Sequence, residues 1–219
     1  MCDTQGGPDP GYSVLTDVSR GITESLVAPY VVLTPDLLLG MEIRTYLAES
    51  AHILEAVENQ CVNSILAAAK LMEAAFRAGG KVLLCGNGGS AADCQHMAAE
   101  LLPHHLPAIS LTTDTSFLTA WSNDESFNTV FSKQVQAIAK DGDVLIAIST
   151  SGESINVIHA TGMMPGSTIA LTGSSGRLGR IADVAICVPS DNTQHIQEAH
   201  LAIEHILCEL VVKAMNDNQ

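Results

Sequence analysis

The sequence predicts an α/β protein: a three-layer sandwich in which helices cover both faces of a doubly wound, five-stranded parallel sheet. Short runs that are apolar throughout, as buried strands are, alternate with segments whose apolar residues recur at helical spacing. Turns rich in Gly and Ser stand where strand changes to helix. The 219 residues are 47% hydrophobic, which suits one sizeable domain with a full core.

The N-terminal part of the chain precedes the sheet. Residues 1–36 are rich in Gly, Pro and small polar residues, so we interpret them as a flexible extension with at most a short helix. We assign residues 37–219 to the single domain. From about Leu37 to Ala78 apolar residues recur at helical spacing, which predicts two helices, the second ended by Gly79-Gly80.

After Gly80 the pattern changes to alternating strands and helices. The predicted strands are Lys81–Cys85, Pro107–Thr112, Asp143–Ser149, Ser167–Thr172 and Val184–Pro189. The predicted helices are Ala91–Leu102, Phe127–Ala139, Ile155–Met163, Leu178–Ala182 and Thr193–Met215. In parallel sheets of this kind ligands bind at the carboxyl ends of the strands, so a site is expected in the turns that follow them.

Charge limits the classes of partner. The formal net charge is −14, and no Lys or Arg occurs between Lys81 and Lys133. A nucleic-acid partner needs basic patches, so the composition argues against one. A small anion stays compatible with this charge, because backbone amides bind anions locally.

Cysteine spacing and the N-terminus indicate a compartment. The six cysteines are scattered without CxxC spacing, which is typical of reduced thiols in a cytoplasmic protein. The first residues lack the basic and apolar regions of a signal peptide. Pro29, Pro35 and Asp36 interrupt the apolar stretch Leu26–Met41, so no membrane span is expected. We therefore expect a soluble, cytoplasmic protein.

Two turns carry the signals for a ligand. In Gly86–Ser90 the glycines allow positive φ and close approach of the backbone, and Ser90 could cap a helix whose free N–H groups favour an anion. Ser149–Ser154 offers hydroxyls and amides at a second strand-to-helix junction. Neither turn is a GxGxxG or P-loop motif, so a phosphate fits better than a nucleotide. Alternatively, both are ordinary connections, which often contain Gly and Ser.

Two helices carry side chains suited to chemistry. His96 and Glu100 are four residues apart and share one helix face, where such a pair either binds a metal, transfers protons or forms a surface hydrogen bond. The last helix holds Gln197, His200 and His205 in an apolar stripe. Either histidine could be a core residue, and the spacing does not choose between them.

Four segments resemble the phosphoheptose isomerases, the sedoheptulose 7-phosphate isomerase branch of the SIS-domain sugar-phosphate proteins. They occur in the family's order from about residue 40 to the C-terminus. Many SIS proteins share the STSG turn, whereas the QHxAAEL and IQExHxxxxH pair is specific to this branch. The segments are GNGGSAADCQHMAAEL (Gly86–Leu101), SNDESFNTVFSKQV (Ser122–Val135), ISTSGESINVI (Ile148–Ile158) and HIQEAHLAIEHILCELV (His195–Val211).

The resemblance implies a SIS, flavodoxin-like fold, a zinc cofactor (Zn²⁺) and a homotetramer with its sites at subunit contacts. It implies that Glu100 and His205 are the acid–base pair, and it matches His200 to a histidine that is not a ligand. The implied zinc ligands are His96, Glu100, Gln197 and His205. The implied substrate contacts are Asn87, Gly88, Gly89, Ser90, Glu100, Asn123, Asp124, Ser149, Thr150, Ser151, Ser154 and Gln197.

Spacing along the last helix adds a prediction about assembly. Gln197 and His205 are separated by roughly 12 Å of helix, so they reach one ion only by leaning toward each other. Because the resemblance also implies sites at subunit contacts, we predict that a neighbouring chain completes the site.

The implied reaction interconverts sedoheptulose 7-phosphate and D-glycero-D-manno-heptose 7-phosphate through an enediol, in heptose biosynthesis. The connection LLPHHL after Glu100 is shorter than usual for the family and lacks its Arg, and the segment Thr161–Gly166 is also short. These departures leave the exact sugar open. The alternatives are a non-catalytic SIS regulator that binds sugar phosphates, and an enzyme for another sugar phosphate, such as an etherase or an isomerase of a different heptose phosphate.

Overall fold

The computed structural model describes residues 34–217 of the chain. Its five strands form one sheet in which every neighbouring pair is parallel, in the order β2-β1-β3-β4-β5. The predicted doubly wound parallel sheet is therefore confirmed. The strands are β1 (Val82–Gly86), β2 (Ala108–Ser110), β3 (Val144–Ser149), β4 (Ser167–Thr172) and β5 (Val184–Cys187). The helices are α1 (Pro35–Arg77), α2 (Gly89–Leu101), α3 (Thr115–Asp124), α4 (Val130–Ile138), α5 (Ile155–Gly162), α6 (Leu178–Ile181) and α7 (Thr193–Asn216).

Alternation along the buried strands divides the core into two layers. Successive strand residues point to opposite faces, so Val82 and Leu84 join the core under α1, α2 and α7. Leu83 and Cys85 join the core under α4, α5 and α6, and the half-buried Trp121 of α3 packs against it. Helices thus cover both faces, as the three-layer prediction requires. The helices that carry the predicted site, α2 and α7, lie on the same face.

The N-terminal region forms one helix of 43 residues, so the prediction of two helices was wrong. No Gly or Pro occurs between Met41 and Ala78, and the chain has no signal that would end a helix there. Thr34 caps the start of α1, and Gly79, at φ +75°, follows its end. Residues 1–33 of the predicted extension lie outside the described residues, while residues 35 and 36 already belong to α1.

Other boundaries also differ from the predictions. No helix was predicted at α3, where Asp114 accepts a hydrogen bond from the backbone N–H of Phe117 and begins the helix. The predicted helix Phe127–Ala139 consists of a 3₁₀ turn followed by α4. The predicted strand Pro107–Thr112 was too long, because β2 has only three residues. In the described part of the chain, no helix is both long and apolar enough to cross a membrane.

Candidate active site

The Gly-rich turn joins β1 to α2. Gly88 lies at φ +59°, a conformation that glycine adopts without strain, and it is the residue that precedes the helix. The expectation that Ser90 caps α2 was wrong, because the helix already begins at Gly89 and the Ser90 side chain is buried within it. No side chain caps this helix end, so its backbone amides face the space beyond the turn.

A cavity of about 260 Å³ opens where the two predicted turns meet. The turns are adjacent because β1 and β3 are parallel neighbours whose carboxyl ends lie at one edge of the sheet. Larger cavities lie beside α4 and α5 and between α1 and the start of α7. The residues that line the cavity are Asn87, Gly88, Gly89, Ser90, Ile148, Ser149, Thr150, Ser154, Thr193 and Gln197.

The polar lining of this cavity carries no formal charge. It consists of hydroxyl groups, two side-chain amides and backbone, with no Lys, Arg, Asp or Glu among the lining residues. The Ser149 hydroxyl donates a hydrogen bond of 3.0 Å to the Ser154 hydroxyl, which fixes both at one wall. An anion bound here would be held by hydrogen bonds and helix-end amides alone, as the charge pattern of the sequence predicts.

Some predicted substrate residues lie outside the cavity. Ser151 is exposed, and its hydroxyl accepts a hydrogen bond from the backbone N–H of Glu153. Asn123 and Asp124 are exposed at the end of α3, where their side chains bond to each other at 2.8 Å. Thr193 lines the cavity without having been predicted. Thr193 lies two residues before the resembling segment His195–Val211, so the resemblance did not include it. Its place in the cavity lining follows only from the position of α7 in the structure.

Gln197 reaches the cavity because Gly89 has no side chain. A Cβ atom at Gly89 would lie 2.5 Å from Nε2 of Gln197, closer than any ordinary contact. The glycine therefore serves packing between α2 and α7 as well as the turn. This contact joins the end of β1 to the start of the last helix.

His96 of α2 and His205 of α7 meet at the surface. Their Nε2 atoms are 2.8 Å apart, so one ring donates a hydrogen bond to the other. The pair is brought together by the packing of the two helices, since Met97 and Leu101 share a core layer with Ile203. Of the two histidines in the apolar stripe of α7, His205 is thus the exposed one.

The other two predicted ligands do not join this pair. Glu100 is exposed one turn after His96, and Gln197 lies against Gly89. Within residues 34–217, no group of three or more His, Cys, Asp and Glu side chains could hold a metal ion. Of the four predicted ligands, one chain therefore brings together only His96 and His205.

His200 is a core residue. It is fully buried, and its Nε2–H donates a 3.2 Å hydrogen bond to the backbone carbonyl of Thr172, at the end of β4. Burial lowers the pKa of its imidazole to about 4, so the ring is neutral at physiological pH. This resolves the alternative that the spacing left open.

Two acids beside the histidine pair, the buried Glu204 and the half-buried Asp93, were not predicted. Glu204 precedes His205 and is fully buried, and neither of its carboxylate oxygens has a hydrogen-bond partner. Burial, with the nearby charge of Asp93, raises the pKa of Glu204 to about 8, and burial raises that of Asp93 to about 6. A signal was present, because Glu204 stands one turn from both His200 and Leu207 in the apolar stripe.

Comparison with known proteins decides the family. The SIS-domain model matches residues 45–173. Phosphoheptose isomerase of Roseiflexus sp. (strain RS-1) is 50% identical over 171 residues, covering 73% of this chain and 85% of that protein. Phosphoheptose isomerase of Geobacter metallireducens is 45% identical, covering 81% and 99%. The chain belongs to the phosphoheptose isomerases of the SIS-domain family.

A solved structure supports the same assignment. Phosphoheptose isomerase of Neisseria gonorrhoeae is 44% identical, with a TM-score of 0.76 over 79% of this chain and 98% of that one. As a phosphoheptose isomerase, the chain is an aldose–ketose isomerase that acts on a sugar phosphate. The fold assembles two candidate parts of a site, the uncharged cavity at the strand ends and the histidine pair.

Proposed function

We propose that this protein interconverts sedoheptulose 7-phosphate and D-glycero-D-manno-heptose 7-phosphate in cytoplasmic heptose biosynthesis. The observation that carries the proposal is the position of the two site parts along the same two helices. From the cavity, α2 leads from Gly89 to His96 and α7 leads from Gln197 to His205, distances of roughly 10 and 12 Å. A sugar phosphate held by its phosphate in the cavity would direct its other end along these helices, which favours a long sugar over a triose phosphate.

In this mechanism the chain's own groups bind, orient and transfer protons. The turn hydroxyls, the Asn87 amide and the amides at the start of α2 hold the phosphate end, which fixes the reacting carbons. Glu100 removes the proton beside the carbonyl group and returns it to the neighbouring carbon. His205 transfers the proton between the two oxygens, so that aldose and ketose interconvert through an enediol.

The donor set fits a zinc ion. The Nε2 atoms of His96 and His205 lie 2.8 Å apart, and imidazole and carboxylate are among the groups that bind this metal. We propose that His96, Glu100, Gln197 and His205 hold it. A bound zinc ion would polarise the substrate carbonyl and stabilise the enediolate.

A homotetramer with sites at subunit contacts would explain why the set is incomplete in one chain. Leu39, Ile43, Leu47 and Leu54 recur along α1 at helical spacing and are 56%, 62%, 62% and 44% exposed. Such an apolar stripe is typical of a surface that another subunit covers. Replacing Ile43 and Leu47 by Asp should give a folded monomer with little activity, measured by light scattering and turnover. A folded monomer with full activity would exclude a shared site.

The main test is a panel of five- to seven-carbon ketose phosphates, with NMR identification of each product. We expect sedoheptulose 7-phosphate to give the highest kcat/KM. A higher value for another heptose phosphate would favour the alternative enzyme, which the short connection LLPHHL leaves open. Metal analysis of the purified protein addresses the regulator: absence of both zinc and turnover would favour a protein that only binds sugar phosphates.

A further inference from the structure

Asn156 is a buried amide side chain that the proposed mechanism does not use. It stands at the start of α5, is 3% exposed, and does not line the cavity. We infer that Asn156 is a positioning residue that fixes the orientation of the Asn87 amide in the substrate cavity. The inference rests on the proposed function, because it assigns Asn87 to the phosphate end of the substrate.

The two side chains form a reciprocal pair. Asn87 Nδ2 donates to Asn156 Oδ1 at 2.9 Å, and Asn156 Nδ2 donates to Asn87 Oδ1 at 2.9 Å. Two parallel hydrogen bonds leave neither amide free to rotate without breaking both. The pair also links the turn after β1 to the helix after β3, the two segments that form the cavity.

A third hydrogen bond sets the direction of the pair. The backbone N–H of Val157 donates to Asn156 Oδ1 at 3.0 Å, so the oxygen of Asn156 must occupy that side. Asn87 must then present its nitrogen to this oxygen and its own oxygen to the nitrogen of Asn156. A backbone donor in α5 therefore decides which end of the Asn87 amide occupies which position.

The consequence lies in the cavity. Each amide has two N–H groups and two acceptor lone pairs, so Asn87 keeps one donor and one acceptor after pairing with Asn156. These remaining groups have fixed directions before the substrate arrives. Binding then costs less side-chain ordering than it would with a freely rotating amide. A charged phosphate or a sugar hydroxyl meets a donor that is already aimed.

A double-mutant cycle tests this role. We expect Asn156→Ala to raise KM for sedoheptulose 7-phosphate about tenfold while kcat changes less than about threefold, because an aimed hydrogen bond is lost from binding. In the Asn87→Ala background the same substitution should have no further effect on KM. If the increase in KM of the double variant equalled the product of the increases of the two single variants, the inference would be overturned, since Asn156 would then act without Asn87.

Asn156→Asp separates orientation from packing. Aspartate has nearly the same shape and still accepts from Val157, but its second oxygen would face Asn87 Oδ1 in place of a donor. We expect KM to rise at least as much as with alanine, and Asn128→Asp, at an exposed position outside the cavity, to leave KM unchanged. A wild-type KM in Asn156→Asp would show that Asn156 only fills space.

Nitrogen-15 NMR of the side-chain amides gives a readout that needs no activity. In the wild type, one Asn87 amide proton should exchange slowly with solvent, and Asn156→Ala should abolish that protection. Fast exchange of both protons in the wild type would overturn the inference. If the protection is present but sedoheptulose 7-phosphate is neither bound nor isomerised, the proposed function fails and the inference about Asn156 does not. The role of Asn156 is then decided by comparing the wild type and Asn156→Ala in their dissociation constants for the sugar phosphate that the panel identifies.

Discussion

The phosphate end and the histidine end of the site are built in different ways. The cavity is formed mainly by backbone and short side chains in two turns whose places follow from parallel strand pairing. The histidine end consists of exposed side chains from two helices that are far apart in the sequence, and one chain brings only His96 and His205 together. The sheet thus sets the geometry of the phosphate end. At the histidine end, an ion or a neighbouring subunit can still change the positions of the side chains proposed for proton transfer.

The largest expected effect is that of a substitution at Glu100, which should change turnover at the histidine end without changing substrate binding at the phosphate end. Glu100→Gln should lower kcat by about 10²–10⁴-fold, because it removes the proposed base. The dissociation constant for the substrate should change little, since Glu100 is outside the cavity. Turnover and calorimetry measure the two quantities, with metal content followed in parallel. Asp141→Asn, an equal charge change in an exposed turn before β3, should retain full activity. Full activity in Glu100→Gln with intact zinc would remove Glu100 from the mechanism.

His200 connects α7 to the end of β4 between the two regions, and its effect is on stability. The pKa of its imidazole is about 4 in the folded state, against 6.5 for an unperturbed histidine. Between pH 4 and pH 6.5 the unfolded chain therefore binds more protons than the folded one. Stability from this group is complete above pH 6.5 and is lost as pH falls toward 4. We expect the free energy of unfolding of the wild type to fall more steeply than that of His200→Gln, by up to about 1.4 kcal/mol per pH unit.

Urea titrations at pH 7 and pH 5 measure this difference. Comparing the variant with the wild type cancels other groups, including Asp93 and Glu204, whose raised pKa values favour the folded state as pH falls. Equal pH dependence in the two proteins would mean that His200 is not buried in its neutral form. The hydrogen bond from His200 to the carbonyl of Thr172, which links α7 to the end of β4, would then be in doubt.

Gly89→Ala tests the contact between α2 and Gln197 at the phosphate end. The new methyl group would meet the end of the flexible Gln197 side chain, which can move away, so stability should fall by less than about 1 kcal/mol. The displaced amide should raise KM about five- to tenfold, by the loss of a hydrogen bond to the substrate. Gly162→Ala is the matched control, because a Cβ atom there meets nothing within 4 Å. An unchanged KM in Gly89→Ala would show that Gln197 does not contact the substrate from its present position.

The same division explains what could be predicted from the sequence. The two turns follow from local rules, because Gly and Ser mark the points where the apolar strands end, and parallel pairing then places the turns together. The length of α1 follows from the absence of any Gly or Pro after Met41, although helical spacing alone does not separate one helix from two.

Tertiary packing decides the features that sequence reasoning missed. The environment of Glu204 depends on the approach of Asp93 from another helix, which no spacing within α7 encodes. The pair of Asn87 and Asn156 joins residues 69 positions apart in sequence. The distance between His96 and His205 likewise requires α2 and α7 to lie on one face of the sheet.

The smallest expected effect concerns the border of the phosphate end. Ser149 lines the cavity and bonds to Ser154, whereas Ser151 is exposed and accepts a hydrogen bond from Glu153. Ser149→Ala should therefore raise KM about threefold, and Ser151→Ala should leave KM within a factor of about two. Steady-state kinetics on sedoheptulose 7-phosphate distinguishes these values. A larger effect at Ser151 would mean that its hydroxyl turns inward when the substrate binds. The turn after β3 would then be adjustable, and rigidity would no longer distinguish the phosphate end from the histidine end.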